Sequence, residues 1–408
     1  MTTIKRTALL FVVAVGLGIT AAYAAGREPW TPSGVADFAH HSNVTSAGGP
    51  ATGRTPESKL FYTGDGRWWA VLGDASGGVS LFRLDGHAWQ PQLTLPTADP
   101  WMKADTLFDE DGGILYVTLR DNKSLVSNPR ENLLYKLSYD GTGFTVVNGF
   151  PARISTTGTE ALTIARDTHG RLWTTYRVGS NIRVGYTSPG GTAFTFKTLA
   201  SGVTSDDISA VTSFGTSIGV MWSDQNAKRM FFASRTDATD PDAGTRAGFG
   251  PAETAYGGGV GGCPATKACA DDHINLKVAG GEVHAAIKTG LTLGPDPLIV
   301  VLRRGAAADW EAFTVTTAGA GNHTKPTLLL APQLDEMYVF TVKGGVKVYQ
   351  SDFPTPSFTA APTKWTASQN TYPTSTKQVI TPTTGTVLSS VKPGRNEYWH
   401  NEFLPAAP

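Results

Sequence analysis

The stretch KLFYTGDGRWWAVLGD, Lys59 to Asp74, runs on into VSLFRLDGHAWQPQLTL, Val79 to Leu95. Together they hold two hairpin patterns, with Gly64, Gly66 and Gly86 in the turns. Alternation of period two bounded by Gly and Asp reads as antiparallel strands. The pattern recurs as DTLFDEDGGILYVTLRD from Asp105, EALTIARDTHGRLWTTYR from Glu160 and DISAVTSFGTSIGVMWSD from Asp207. It returns as HINLKVAGGEVHAAIKTG from His273, KPTLLLAPQLDEMYVFTVKGG from Lys325 and KQVITPTTGTVLSSVK from Lys377. These starts lie 46, 55, 47, 66, 52 and 52 residues apart. A four-stranded unit repeated at such a period buries its faces only against copies of itself, which predicts an all-β chain, a single seven-bladed β-propeller of four-stranded blades. The last copy has only EYWHNEF after it and lacks a fourth strand, so the ring is expected to close with GVADFAHH, Gly34 to His41. Such closure leaves no long free edge.

Residues 1–24 read as a secretory signal, which leaves 25–408 as the propeller domain. Lys5 and Arg6 start the segment, Ala8 to Ile19 is apolar, and Ala22-Tyr23-Ala24 forms a small-x-small cleavage site. The alternative, an uncleaved membrane anchor, is disfavoured by the short apolar core. A secreted or periplasmic location follows. Without the signal, 32 basic residues face 34 acidic ones, a balance that excludes a nucleic-acid protein dependent on a positive field. Cys263 and Cys269 flank PATKA, and in an oxidising compartment they are expected to form a disulfide that shapes a loop more than it supports the whole fold. Neither a nearby CxxC nor a His-x3-His pattern supports zinc instead.

In a propeller the first strand of each blade lines the channel, and the loop before it opens on one face. The starts are therefore neighbours around a ring: Lys59; Asp105 with Lys103; Glu160; Asp206 and Asp207; Asp271, Asp272 and His273; His323 and Lys325; Lys377. Carboxylates dominate blades two to five, Lys and His the remainder. A mouth of this kind orients a polar ligand and gathers acid-base groups. Asp207, Asp272, His273 and His323 are the candidate catalytic residues. Lys59, Trp101, Asp105, Glu160, Asp206, Lys325 and Lys377 are the candidate substrate contacts. The competing reading has these groups bonded to neighbouring backbone or channel water, holding the ring together. Asp271 is a candidate metal ligand, and calcium suits oxygen-rich loops of this type. Asp237, Asp240 and Asp242 form a second acidic segment, for which ordinary turn chemistry is the stronger reading.

GGGVGG at Gly257 to Gly262 satisfies G-x-G-x-x-G but stands in no strand-to-helix turn, so it makes no dinucleotide site. HExxH and Walker patterns are absent from the sequence. Trp68, Trp69, Trp173 and Trp222 repeat at strand positions and read as packing between blades, whereas Trp101, Trp365 and Trp399 are less regular.

The segments LDGHAW, SYDGTGF, SPGGTAF, RGAAADW and FPTPSF fall between the third and fourth strands of their units. They resemble the turns of the sialidase-like, Asp-box type of β-propeller, which carry Ser-x-Asp-x-Gly-x-Thr-Trp. That family's enzymes hold an acidic sugar with three channel arginines. None of the seven starts here is an arginine, so the resemblance implies the fold and a carbohydrate ligand, not that triad. DDHINLKV and NHTKPTLLL are similar to His-containing inner strands of seven-bladed polysaccharide lyases, which implies a base or charge-neutralising role for His273 and His323. Two functions are therefore expected: a hydrolase or lyase acting on carbohydrate at the channel mouth, or a non-catalytic propeller binding a protein or polysaccharide there. A monomer is expected in either case.

Overall fold

Each hairpin pattern folds as its alternation requires. The computed structural model describes residues 35–39, 51–96, 98, 102–121, 131–392 and 395–403, and these form seven antiparallel sheets. Residues 1–24, read above as a signal, lie outside the described residues. Among the described residues no helix is long and apolar enough to cross a membrane.

Blade one runs outward in chain order through Leu60–Tyr62, Trp68–Gly73, Val79–Asp85 and Ala88–Thr94. Leu60, Phe61 and Tyr62 pair with Ala70, Trp69 and Trp68, and Gly66 takes φ +79° in the turn between them, a conformation that suits glycine. The innermost strands of blades three to six are Thr163–Arg166, Ser209–Phe214, Ile274–Ala279 and Thr324–Ala331, and each blade again runs outward in order. Blade two begins at Lys103–Asp109 and divides its outer position, because Phe144–Val146 and Ala152–Ser155 both pair with Asn132–Tyr139. Blade seven takes Val35–Ala39 as its outermost strand, paired with Glu397–Phe403, so the ring closes with the segment its sequence lacked. Phe38 stacks on Phe82 of blade one at 4.3 Å and meets Tyr398 at 5.0 Å.

Cores lie between adjacent sheets. Trp69 and Val71 of blade one pack with Val117 and Tyr135 of blade two, and Trp173 and Tyr186 of blade three with Val220 and Trp222 of blade four. These tryptophans are buried, as the repeat implied. Truncating any one to Ala would cost about 3–5 kcal/mol.

The inner strand edges face the channel and carry backbone groups that need partners. Neighbouring blades supply them. Thr106 N donates to Ser58 O, Ile164 N to Asp105 Oδ2, Val211 N to Thr163 Oγ1, and Leu328 N to Asn275 Oδ1. Thr327 Oγ1 donates to Pro373 O, and Leu60 N to Ser375 O. Polar residues at strand starts thus lace the ring.

One expectation needs correction. Blade seven's inner strand is Thr371–Thr374, and Lys377 stands in the connection that follows it, which runs to Thr386–Lys392. Pro382 and the threonines of TPTTGT build a turn there, with Thr381 and Thr384 bonded to each other, in place of strand pairing. The Cys263–Cys269 disulfide forms as expected. Both sulfurs are buried in the cluster between blades four and five, with Tyr256, Ile274 and Leu291.

Candidate functional site

A hairpin that leaves one face of the ring returns to it, so the ends of second strands share a face with the starts of first strands. Lys103 pairs in register with Arg120, and Ile274 with Ile287, one residue before Lys288. The mouth is therefore built from two sets of residues. Sequence reading found the first set and missed the second, although antiparallel pairing was the available signal.

On the rim, His273 Nδ1 lies 2.7 Å from Asp271 Oδ1 and 2.6 Å from Asp272 Oδ1. Its Nε2 lies 3.2 Å from Thr324 Oγ1, and Lys288 donates to the other oxygen of Asp271. Next in the ring, the Lys325 ammonium sits 4.3 Å from the ring centre of Tyr372. Arg54 joins Glu160 at 2.5 Å. All of these side chains are partly exposed. Burial opposes the charge on Asp271, yet His273 and Lys288 outweigh it and hold this carboxyl well below the usual range. Burial likewise opposes charge on His273, but hydrogen bonds to both aspartates outweigh it and raise the imidazole above its ordinary value. Burial raises Asp272 and the Tyr372 phenol, the latter against the nearby Arg54 cation, and lowers the Lys325 ammonium. The donor atoms of Asp271, Asp272 and His273 all lie within 4.8 Å of one another, a set that suits a divalent cation once the proton and Lys288 are displaced.

Beneath the rim lies a buried charged layer. Glu57 accepts from Lys59 Nζ at 3.0 Å, from Arg120 through both guanidinium branches, and from the backbone N–H of Arg54 and Leu162. Burial would raise Glu57, but Arg120 and Lys59 reverse that and lower it. Lys103 is buried beside them, its ammonium pushed well down by burial and then by Arg120 and Lys59. Deeper in the channel, Asp105 accepts from Ser58 N, Ile164 N and Lys377 Nζ. Lys59 and Asp105, expected to contact substrate, are thus buried and paired.

The other candidates separate. Asp207 is buried and accepts from Thr204 N and Gln225 N, while Asp206 is exposed and meets Gln225 Nε2 at 3.3 Å. His323 is buried between Thr341 Oγ1 at 2.9 Å and Tyr349 OH at 3.4 Å, and burial pushes it down to about 4. Trp101 lies outside the described residues. Asp240 accepts from Asp242 N within its own turn, whereas Asp237 accepts from Thr168 and Asp242 from the Tyr186 hydroxyl, which ties the second acidic segment to blade three. Glu57, Arg54, Arg120, Lys288 and Tyr372 are the mouth residues that sequence reading did not single out. Tyr372 escaped because the last unit begins at Thr371, six residues before the expected start at Lys377.

No protein-family model matches the chain, and no curated protein matches it. Among solved structures it is similar to a PL25 polysaccharide lyase, an ulvan lyase, with TM-score 0.55 and 13% identity over 92% of this chain and 97% of that one. It also matches an α-L-arabinanase of Penicillium chrysogenum at TM-score 0.48 and 12% identity, over 80% of this chain and 99% of the other. An Aleuria aurantia lectin complexed with α-methyl-L-fucoside matches at 0.42 and 13%, over 64% and 77%. At these identities the likeness concerns the fold.

Proposed function

We propose that this chain is an exported carbohydrate-active propeller whose mouth binds a polysaccharide and cleaves it as a lyase. The observation that carries the reading is the Tyr372 phenol set beside the Lys325 ammonium, with Arg54 close by and the His273 pair across Thr324. Elimination at a uronate needs cations to hold the carboxylate and a group that moves the proton from the adjacent carbon. Lys325 suits the first task and Tyr372 the second, while His273, held between Asp271 and Asp272, suits proton delivery to the leaving oxygen. A hydrolase needs two carboxylates available for acid and nucleophile or base work. Here Asp271, Asp272 and Glu160 are each held by a cation, which favours the lyase. The ulvan lyase likeness agrees with this reading, and the five hairpin turns, with Asp140 bonded to Thr142 N and Gly143 N, agree with a distant sialidase-like kinship. Calcium at Asp271, Asp272 and His273 would be an alternative occupant of this rim, since it displaces the His273 proton that the lyase uses, and a monomeric state belongs to the proposal. The segment 1–24 and the buried disulfide support export.

The test is an activity panel of neutral and acidic polysaccharides, with and without calcium, read by new reducing ends and by the ultraviolet absorbance of unsaturated uronate. Absorbance that Tyr372→Phe lowers about 100-fold or more, with Tm unchanged, establishes the lyase. Reducing ends without absorbance mean a hydrolase. Silence from a folded protein favours a non-catalytic face that binds a polysaccharide or protein partner.

A further inference from the structure

We propose that the central channel is an anion-binding site, holding a small inorganic anion between Lys277 and Lys377. The inner strands enclose a chamber of about 170 Å³ below the charged layer. Among the described residues its only charged lining groups are these two lysines, and Thr106, Thr212, Ser213 and Gln378 add polar groups around them. Lys377 is paired with buried Asp105 behind the chamber wall, so the ammonium that lacks a counter-charge is that of Lys277.

Lys277 is buried, and its Nζ donates to Thr376 O at 2.7 Å and to Ser58 Oγ at 3.3 Å, both neutral acceptors. Among the described residues it has no carboxylate partner. The nearest acid, Asp105, is already committed: Oδ1 receives Ser58 N, and Oδ2 receives Ile164 N and Lys377 Nζ. Immediately above, Lys59 and Arg120 share Glu57, so no negative charge is left over from that layer either. A buried ammonium without a counter-charge is costly, and two facing one cavity repel each other as well. An anion seated between them offsets both effects and accepts the remaining N–H donors. Water occupies about 30 Å³ in the liquid, so the chamber has room for a halide or a tetrahedral oxyanion with several waters.

The same geometry makes binding proton-linked. Burial, and then the charge of Lys377, push the Lys277 ammonium down to about 7, against the weaker pull of Asp105. Lys377 and Asp105 are the titratable groups that face it. Anion entry restores the missing counter-charge and draws a proton onto Lys277.

Crystals of the full mature chain soaked in sodium bromide should show an anomalous peak between the two ammonium groups. Calorimetric titration with sulfate, whose charge is constant over the range, should give affinity that weakens roughly tenfold for each pH unit above about 7. Lys277→Met should remove both the peak and the pH-dependent heat. If that variant does not fold, the wild-type bromide map alone decides. Bromide confined to the exterior with water in the chamber, or sulfate heats equal in wild type and Lys277→Met, overturns the proposal.

Discussion

Glu57 is a carboxylate with no exposed side chain, and two cations and two backbone N–H groups converge on it. Its loss would leave Lys59 and Arg120 buried without their counter-charge. Glu57→Ala is therefore expected to destabilise by roughly 3–5 kcal/mol, read by urea denaturation. His400 poses a different case. It is buried in blade seven, with Nδ1 2.6 Å from Asp37 on the closing strand and Nε2 3.8 Å from Glu402. Burial opposes its charge, but Asp37 and Glu402 prevail and raise it from 6.5 to about 9. Burial also raises Asp37, against the hydrogen bond and charge of His400. Because the folded value of His400 exceeds the unfolded one, its stabilisation is fully present below about pH 6.5 and lost as pH rises through about 9. Tm should fall across that window in the wild type and much less in His400→Gln.

Between residue and ring stands the segment that links blades four and five. The Cys263–Cys269 pair closes a short loop, so the cross-link itself is worth about 2 kcal/mol, and its burial with Tyr256, Ile274 and Leu291 adds packing. The double variant Cys263→Ala/Cys269→Ala should lose about 2–3 kcal/mol in denaturant melts. Limited proteolysis should cut it first within 257–271. Intact resistance there, with undiminished stability, would show that apolar packing alone holds the segment.

Ring closure belongs to the whole molecule. Without Val35–Ala39 the strand Glu397–Phe403 becomes an unpaired edge, and the Phe38 contact with Phe82 across blades one and seven disappears. A chain begun at residue 51 is expected to melt lower and to self-associate in a concentration-dependent way by sedimentation velocity, since exposed edges template pairing. A monomer of undiminished Tm would mean that the closing strand contributes nothing to the ring.

The repeat of period-two hairpins determined the blade number, and the deficit in the last copy determined the closing strand, because strand alternation and edge pairing are local and one-dimensional facts. Asp105 and Asp271 to His273 were legible for the same reason: they stand at strand starts. What only the tertiary structure decided is which of these groups meet. Arg120 and Lys288 reach the mouth from second-strand ends, and Lys377 reaches Asp105 across 272 residues from a connecting turn. Whether a charged strand start laces a neighbouring edge, as Asp105 does, or remains half-exposed, as His273 does, depends on how deep the packed ring sets it. Sequence carries the order of charges along each blade; the closed ring sets their depth and their partners, and those fix pairing and charge state.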